Sequence, residues 1–101
     1  MAYFAKINNN IVETIIRVNN EDIFDLPYPD SEPVGQAFIA SIGIGGQWLQ
    51  TSFNNNFRKC LAEPGSTYDE DRDVFIPRQP VASGMIFIFD DTLWRWIPAG
   101  D

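Results

Sequence analysis

Histidine is absent from this sequence, cysteine occurs once, and lysine and arginine together number 7 against 14 aspartates and glutamates. Each shortage removes a class of function. Without histidine the chain lacks the usual base for a serine or cysteine nucleophile and the commonest side-chain ligand for transition metals. The lone Cys60 excludes an intrachain disulfide. Its neighbours Arg58 and Lys59 could lower its pKa, but with no base to activate it the expected role is that of a half-buried strand cysteine. A net charge of −7 makes nucleic acid and anionic membrane surfaces poor partners and favours basic or polar protein surfaces. No apolar run approaches the ~18 residues that a membrane helix requires. The opening Met1-Ala2-Tyr3-Phe4-Ala5-Lys6-Ile7 has no charged segment leading into an apolar one, so cytoplasmic synthesis without a recognisable export signal is expected.

Aromatic residues are what the chain has in plenty: eight Phe, three Trp and three Tyr in 101 residues. Each buried ring removes roughly 150–250 Å² from water, enough for a short chain to build one core. A single domain over residues 1–101 is expected. The most organised stretch runs from Tyr68 to Pro98 and repeats itself. Tyr68-Asp69-Glu70-Asp71-Arg72-Asp73-Val74-Phe75-Ile76-Pro77 is echoed 21 residues later by Phe89-Asp90-Asp91-Thr92-Leu93-Trp94-Arg95-Trp96-Ile97-Pro98. A polar, acidic tip between aromatic and β-branched residues is a hairpin signal, with Asp accepting turn amides and Pro closing the second strand. Two β-hairpins of similar design are expected.

Upstream, Ala2–Ile7 and Ile11–Val18 are apolar runs around Asn8-Asn9-Asn10, and Asn tolerates positive φ, so they form a hairpin. Tyr3, Ala5 and Ile7 face one way and Phe4 and Lys6 the other. On the second strand Val12, Thr14, Ile16 and Val18 alternate with Ile11, Glu13, Ile15 and Arg17. Neither face is wholly polar, so one is expected under the domain and the other under a partner. Residues 19–29 read as a surface connection. Asp30 or Ser31 then caps a helix over Ser31–Ile42, with Val34, Phe38 and Ile42 as its apolar stripe and Gly43, Gly45 and Gly46 stopping it. Gln47–Ser52 is a short strand anchored by Trp48, and a second asparagine triplet turns between Phe53 and Phe57. Residues 58–63 have no clear pattern, Pro64-Gly65 is a turn, and residues 78–84 form a linker.

The acidic run from Asp69 to Asp73 begins like a calcium loop, but Val74 stands where that loop needs Gly and Pro80 where it needs Glu. A hairpin tip held by local hydrogen bonds is the better account. Asp90 and Asp91 are neighbours on a solvated tip, not two carboxyls across a cleft. Gly43-Ile44-Gly45-Gly46 follows a helix instead of preceding one, so it is no phosphate cradle. Trp94 and Trp96 alternate with Arg95 along the last strand, which puts both rings on one face as a core lid, an interface anchor or a sugar platform. No cofactor, metal or catalytic set is expected.

The residues together resemble a family of small virion structural proteins of tailed phages, especially those infecting marine cyanobacteria. The resemblance rests first on Met1-Ala2-Tyr3-Phe4-Ala5-Lys6 with Asn10-Ile11-Val12, and on Pro29-Asp30-Ser31-Glu32 leading into Gly35-Gln36-Ala37-Phe38. It continues through Trp48-Leu49-Gln50-Thr51-Ser52-Phe53-Asn54, Phe57-Arg58-Lys59, Gly65-Ser66-Thr67-Tyr68-Asp69 and Asp73-Val74-Phe75-Ile76-Pro77. It closes on Phe89-Asp90-Asp91 with Trp94 and Trp96. The chain departs from the family where Cys60-Leu61-Ala62 replaces Asn-Tyr-Ala and where the proline- and Trp-bearing insert before the last hairpin is missing. The resemblance implies a particle component without enzymatic activity. The acidic, His-free, β-rich chain with two-sided apolar strands fits a multi-copy accessory component assembled in the bacterial cytoplasm, such as a head decoration protein. A tail or tail-fibre component, or a carbohydrate-binding module using Trp94 and Trp96, is the alternative. Its partners would be other virion proteins, with a homo-oligomer also open.

The expected fold is α+β: a small, mostly antiparallel sheet of β-hairpins with one packed α-helix. Expected core residues are Phe4, Ile11, Ile15, Val34, Phe38, Ile42, Trp48, Tyr68, Phe75, Phe87 and Trp94. Expected interface residues are Tyr3, Trp48, Phe53, Phe57, Trp94, Arg95 and Trp96.

Overall fold

The structure is a computed structural model that describes residues 1–99. Strands β1 (Ala2–Asn8) and β2 (Ile11–Val18) form a hairpin whose turn residues Asn9 and Asn10 have φ of 52° and 63°. Both lie in the left-handed region that a tight two-residue hairpin turn demands and that Asn tolerates. A 3₁₀ turn (Asn20–Ile23) leads to helix α1 (Ser31–Ser41), then to β3 (Gln47–Thr51), β4 (Thr67–Asp69), β5 (Val74–Ile76), β6 (Phe87–Asp90) and β7 (Arg95–Pro98). Five strands make a sheet of order β3-β1-β2-β4-β5, and β6 and β7 pair apart from it. Every pairing is antiparallel. This is the small α+β fold expected from the sequence.

The simple alternation along β2 does not hold. Ile7 pairs with Val12 and Lys6 with Thr14, so Glu13 is an extra residue, a β-bulge. The bulge shifts the phase. Val12 ends on the same face as Ile15, and Thr14, Ile16 and Val18 point the other way, with Phe4. Both faces are consequently covered by the chain itself. On one, Ala2, Phe4, Val18 and Trp48 meet Ile23 and Ile39. On the other, Ala5, Ile7 and Val12 meet Ala62 and Phe75, with Ile15, Leu49 and Tyr68 at the border. No partner is needed to cover this hairpin.

Helix α1 sits one residue out of the expected phase. Its buried stripe is Ser31, Gly35 and Ile39; Val34 and Phe38 are half-buried, and Ile42 is 54% exposed. The reason is a close approach at Gly35, where a Cβ would stand 2.1 Å from Cζ of the fully buried Phe4. Only glycine lets the helix settle onto that ring. The N-terminal cap also differs. Asp30 makes no side-chain cap bond, and Ser31 Oγ donates to Gln50 Oε1 at 2.7 Å, joining the helix to β3. Gly43, with φ of 85°, turns the chain away after the last turn.

The remaining core expectations divide. Phe4, Trp48 and Phe75 are buried, while Ile15, Tyr68, Phe87 and Trp94 are half-buried. Ile11, beside the asparagine turn, is 43% exposed because the face it takes before the bulge is uncovered there. Residues 19–29 are more than a surface connection, since Ile23 is buried beneath α1.

The 21-residue echo is structural. Asp69 Oδ1 accepts from the amides of Asp71 and Arg72, and Asp90 Oδ1 from those of Thr92 and Leu93. Asp73 and Trp94, the residues four places on, both turn left-handed, with φ of 54° and 56°. Registers also match: Asp69 pairs with Val74 and Asp90 with Arg95. Trp94 is therefore a turn residue, and the two Trp do not share a strand as the sequence alternation suggests. The molecule is long, 51 × 24 × 22 Å, with a radius of gyration of 15.1 Å. A compact chain of this size would have about 13 Å.

Candidate interface and the side chains that frame it

Arg58 lies at the centre of the polar structure. Its side chain is 7% exposed. Nη1 donates to Glu32 Oε2 and to the Gln50 carbonyl, Nη2 to Glu32 Oε1 at 3.3 Å, and Nε to Asp73 Oδ1 at 2.8 Å. The guanidinium carbon stands 5.4 Å from the Tyr28 ring centre and 5.9 Å from that of Tyr68, and Phe57 stacks on Tyr28. One cation thus fastens the first turn of α1, the outer edge of β3 and the turn before β5. Burial opposes its charge, but the hydrogen bonds to Glu32 and Asp73 outweigh that, so Arg58 holds its proton more firmly than usual.

The groups around it respond to the same forces. Asp73 Oδ1 also accepts from the Tyr68 hydroxyl. Burial alone would raise the Asp73 pKa, but the Tyr68 and Arg58 donors bring it below the usual value. Tyr68 is pushed up to about 12, first by burial and then by its bond to the carboxylate. Tyr28 is raised by burial against the opposing pull of Arg58. Burial likewise raises the Cys60 thiol, which donates to the Phe75 carbonyl at 3.2 Å. Cys60 is half-buried as expected, though in the irregular segment between β3 and β4 and not on a strand. At the first hairpin tip the Arg72 guanidinium holds the Asp69 carboxyl below its usual range. Asp69 and Asp73 of this tip are thus engaged by turn amides, Arg72, Tyr68 and Arg58. Among the described residues no three acidic, His or Cys side chains converge as metal ligands would.

Both outer edges of the five-stranded sheet are engaged by side chains and, on β5, also by a loop carbonyl. On β3, Gln36 Nε2 donates to the Trp48 carbonyl at 2.6 Å, the Gln50 amide donates to Glu32 Oε2 at 2.8 Å, and Arg58 meets the Gln50 carbonyl at 2.9 Å. On β5, the Phe75 amide donates to the Arg58 carbonyl, and Trp94 Nε1 donates to the Phe75 carbonyl at 2.7 Å. Trp96 Nε1 donates to the Pro77 carbonyl, also at 2.7 Å. The outward carbonyls of Phe75 and Pro77 are two residues apart, as the strand period spaces them, and one indole comes from the hairpin turn and the other from β7. Both rings meet Phe89 edge-on, with centroids at 5.1 and 5.2 Å. Lys59 Nζ and the Arg72 guanidinium lie 5.3 and 5.2 Å from the Trp94 ring. The two indoles are clasps between hairpins.

No backbone ladder joins the second hairpin to the main sheet among the described residues. Neither outer edge of this hairpin has a backbone or side-chain partner among the described residues, and the β6 edge is the one with exposed apolar side chains beside it. Ala99 N–H bonds the Ile86 carbonyl, so by alternation Ile88 and Asp90 turn inward to β7. Phe87 and Phe89 then point their amides and carbonyls outward, where no described side chain caps them. Beside this edge Ile86 is 74% exposed and Ile88 53%, with Met85 and Leu93 also exposed.

The expected interface residues are thus dispersed. Trp48 is a core residue. Tyr3 stacks on the exposed Phe53 at 5.4 Å, and Phe57 is half-buried against Tyr28. Trp94 and Trp96 are half-buried clasps, and Arg95 is exposed between them. The exposed set Met85, Ile86, Ile88 and Leu93 was not singled out from the sequence. Its signal was the apolar run from Met85 to Phe89, which has no alternation although only one of its faces packs.

A scan against protein-family models finds no match for this chain, and comparison with curated proteins and with solved structures finds none either. No helix of the described residues is long and apolar enough to cross a membrane.

Proposed function

We propose that this chain is a non-enzymatic structural protein of a tailed-phage particle, an accessory component of head-decoration type that docks on a larger virion scaffold through its C-terminal hairpin. The family resemblance supplies the particle. The observation that carries the docking reading is the open, apolar edge of β6, on a molecule that engages both outer edges of its five-stranded sheet with its own groups. An added strand from the scaffold would complete the β6–β7 sheet and cover Ile86 and Ile88. A sugar platform is less well supported, because both indole N–H groups are engaged by backbone carbonyls and the rings lie edge-on to Phe89.

The test mixes the purified chain with assembled phage heads, with tails and with their isolated proteins, and follows it by co-sedimentation and light scattering. Ile86→Glu with Ile88→Glu is the matched variant, because neither side chain contributes to the core. Association of the wild type with heads or tails, lost in the folded variant, supports the reading. Indifference to particles together with retention on bacterial polysaccharide would overturn it.

A further inference from the structure

A second surface, which shares no residue with the C-terminal hairpin, has the chemistry of a binding groove. Between the 3₁₀ turn and α1 runs an open groove of about 570 Å³, floored by Val34, Ala37 and Phe38 and walled by Phe24. Its rim carries Glu21 and Asp22. The volume lies in the range of ligand clefts, ~300–1,000 Å³. This is the face where α1 places Val34 and Phe38, which pack against the core on one side and stay half-exposed because Gly35 holds the contact with Phe4.

Two features point to what would fill it. Phe24 is 73% exposed and adopts a left-handed backbone with φ of 57°, followed by Asp25 at 54°. Consecutive left-handed residues that are not glycine are uncommon, and here they stand a large aromatic ring out over the groove. The backbone bonds Phe24 N–H to Glu21 O and Asp25 N–H to Asn20 O hold it there. The second feature is charge. Between Arg17 and Arg58 the chain has no lysine or arginine, but it has Glu21, Asp22, Asp25, Asp30 and Glu32. Of these only Glu32 enters an ion pair among the described residues. The groove also reaches Ser41 in the last turn of α1, where the helix dipole is negative and no basic residue offsets it. The neighbouring Met1 ammonium is hydrogen-bonded to Asn20.

We infer that this groove binds a segment of a partner protein that carries lysine or arginine beside apolar residues. The long basic stem would lie along Phe24 and Phe38, and its head would meet Glu21 and Asp22. Stem and head thereby match an apolar floor and an anionic rim, as snorkelling side chains do. Phe24 adds a ring face for the cation. The inference does not depend on the particle reading.

The test uses a labelled amphipathic peptide of leucine, lysine and alanine. Companion peptides carry glutamate for lysine, or serine for leucine. Binding is followed by fluorescence anisotropy and by amide shifts in ¹⁵N spectra of the full chain. The expected result is binding of the first peptide only, weakened by salt, with the largest shifts at Phe24, Val34, Ala37 and Phe38. Glu21→Gln with Asp22→Asn should weaken it roughly 3- to 20-fold, as expected for two partly exposed charge pairs. Phe24→Asn should also weaken it, and because Asn tolerates the left-handed backbone, the fold should survive. The inference is overturned by no binding, by equal binding of the glutamate peptide, or by shifts centred on the acidic hairpin tips. It is also overturned if the chain self-associates and Ala37→Arg abolishes that association, which would make the occupant a second copy.

Discussion

Replacing Arg58 by methionine should cost more than any other change to a polar residue in this chain. Met keeps most of the apolar stem and removes the guanidinium. Glu32, 17% exposed, would lose its cation while still accepting the Gln50 amide, and the Gln50 carbonyl would lose its donor. Breaking a buried ion pair from one side costs ~3–5 kcal/mol. The amide that Glu32 retains and its partial access to water place the effect near ~3 kcal/mol. The bond to Asp73 adds at most about 1 kcal/mol, since that carboxylate is 52% exposed and screened by solvent. A total of ~3–4 kcal/mol is a large share of the ~5–15 kcal/mol typical of a domain. It corresponds to a fall in Tm of roughly 12–30 °C. Urea unfolding followed by tryptophan fluorescence reads the change as a lower midpoint at unchanged slope. The double variant Arg58→Met, Glu32→Gln should be more stable than the sum of the single losses, with a coupling above ~1 kcal/mol, because no charge is then left buried alone. A loss below ~1 kcal/mol for Arg58→Met, or strict additivity, would refute the assignment of Arg58 as the clasp of the fold.

Gly35→Ala should destabilise the chain by at least ~1–3 kcal/mol despite its better helix propensity, because the new methyl would meet the Phe4 ring; thermal unfolding decides the sign. Tyr68, with its native pKa near 12 above the usual 10.0, contributes stability that is complete below pH 10 and is lost as pH rises toward 12. Tyr68→Phe should flatten that alkaline limb of the unfolding profile. Asp73 has the opposite sign: its contribution is present above the usual carboxylate pKa and disappears as pH falls through its lowered native value, so Asp73→Asn should flatten the acid limb. Trp96→Phe removes the bond to the Pro77 carbonyl, at ~0.5–1.5 kcal/mol. Hydrogen exchange should then quicken in β6 and β7 while β1 and β2 stay protected.

Local chemistry was legible in the sequence wherever a residue type admits few conformations. Asn9-Asn10 and the aspartate-led tips at Asp69 and Asp90 lie where their residue types place them. What could not be read required knowing two distant segments at once. Straight alternation along β2 is the natural reading of Ile-Val-Glu-Thr-Ile-Ile-Arg-Val, and it fails because Glu13 is extruded as a bulge. The stripe of Val34, Phe38 and Ile42 satisfies the helical period as well as Ser31, Gly35 and Ile39 do. The choice between them is made by Phe4, through the space that glycine leaves. Arg58 falls in a stretch without pattern, and its partners Glu32, Gln50 and Asp73 lie 26, 8 and 15 residues away. No short-range rule connects them.

The closed edges explain why the candidate surfaces lie where they do. An antiparallel sheet of hairpins ends in two strands that expose amides and carbonyls, and such edges invite pairing with other chains. Here β3 is blocked by Gln36, Glu32 and Arg58, and β5 by Trp94, Trp96 and the Arg58 carbonyl. The tryptophans do this by bringing the second hairpin alongside, which moves the open edge outward to β6. That relocated edge differs from the ones it protects. Apolar Ile86 and Ile88 lie exposed beside it, and the exposed Asp91 and Arg95 on its hairpin oppose non-specific stacking. A chain that needed only to stay folded and monomeric would be expected to guard β6 with the same polar side chains that guard β3. Exposed Ile86 and Ile88 beside an unpaired strand, on a chain that engages both outer edges of its five-stranded sheet, are what the proposed docking of a partner strand rests on.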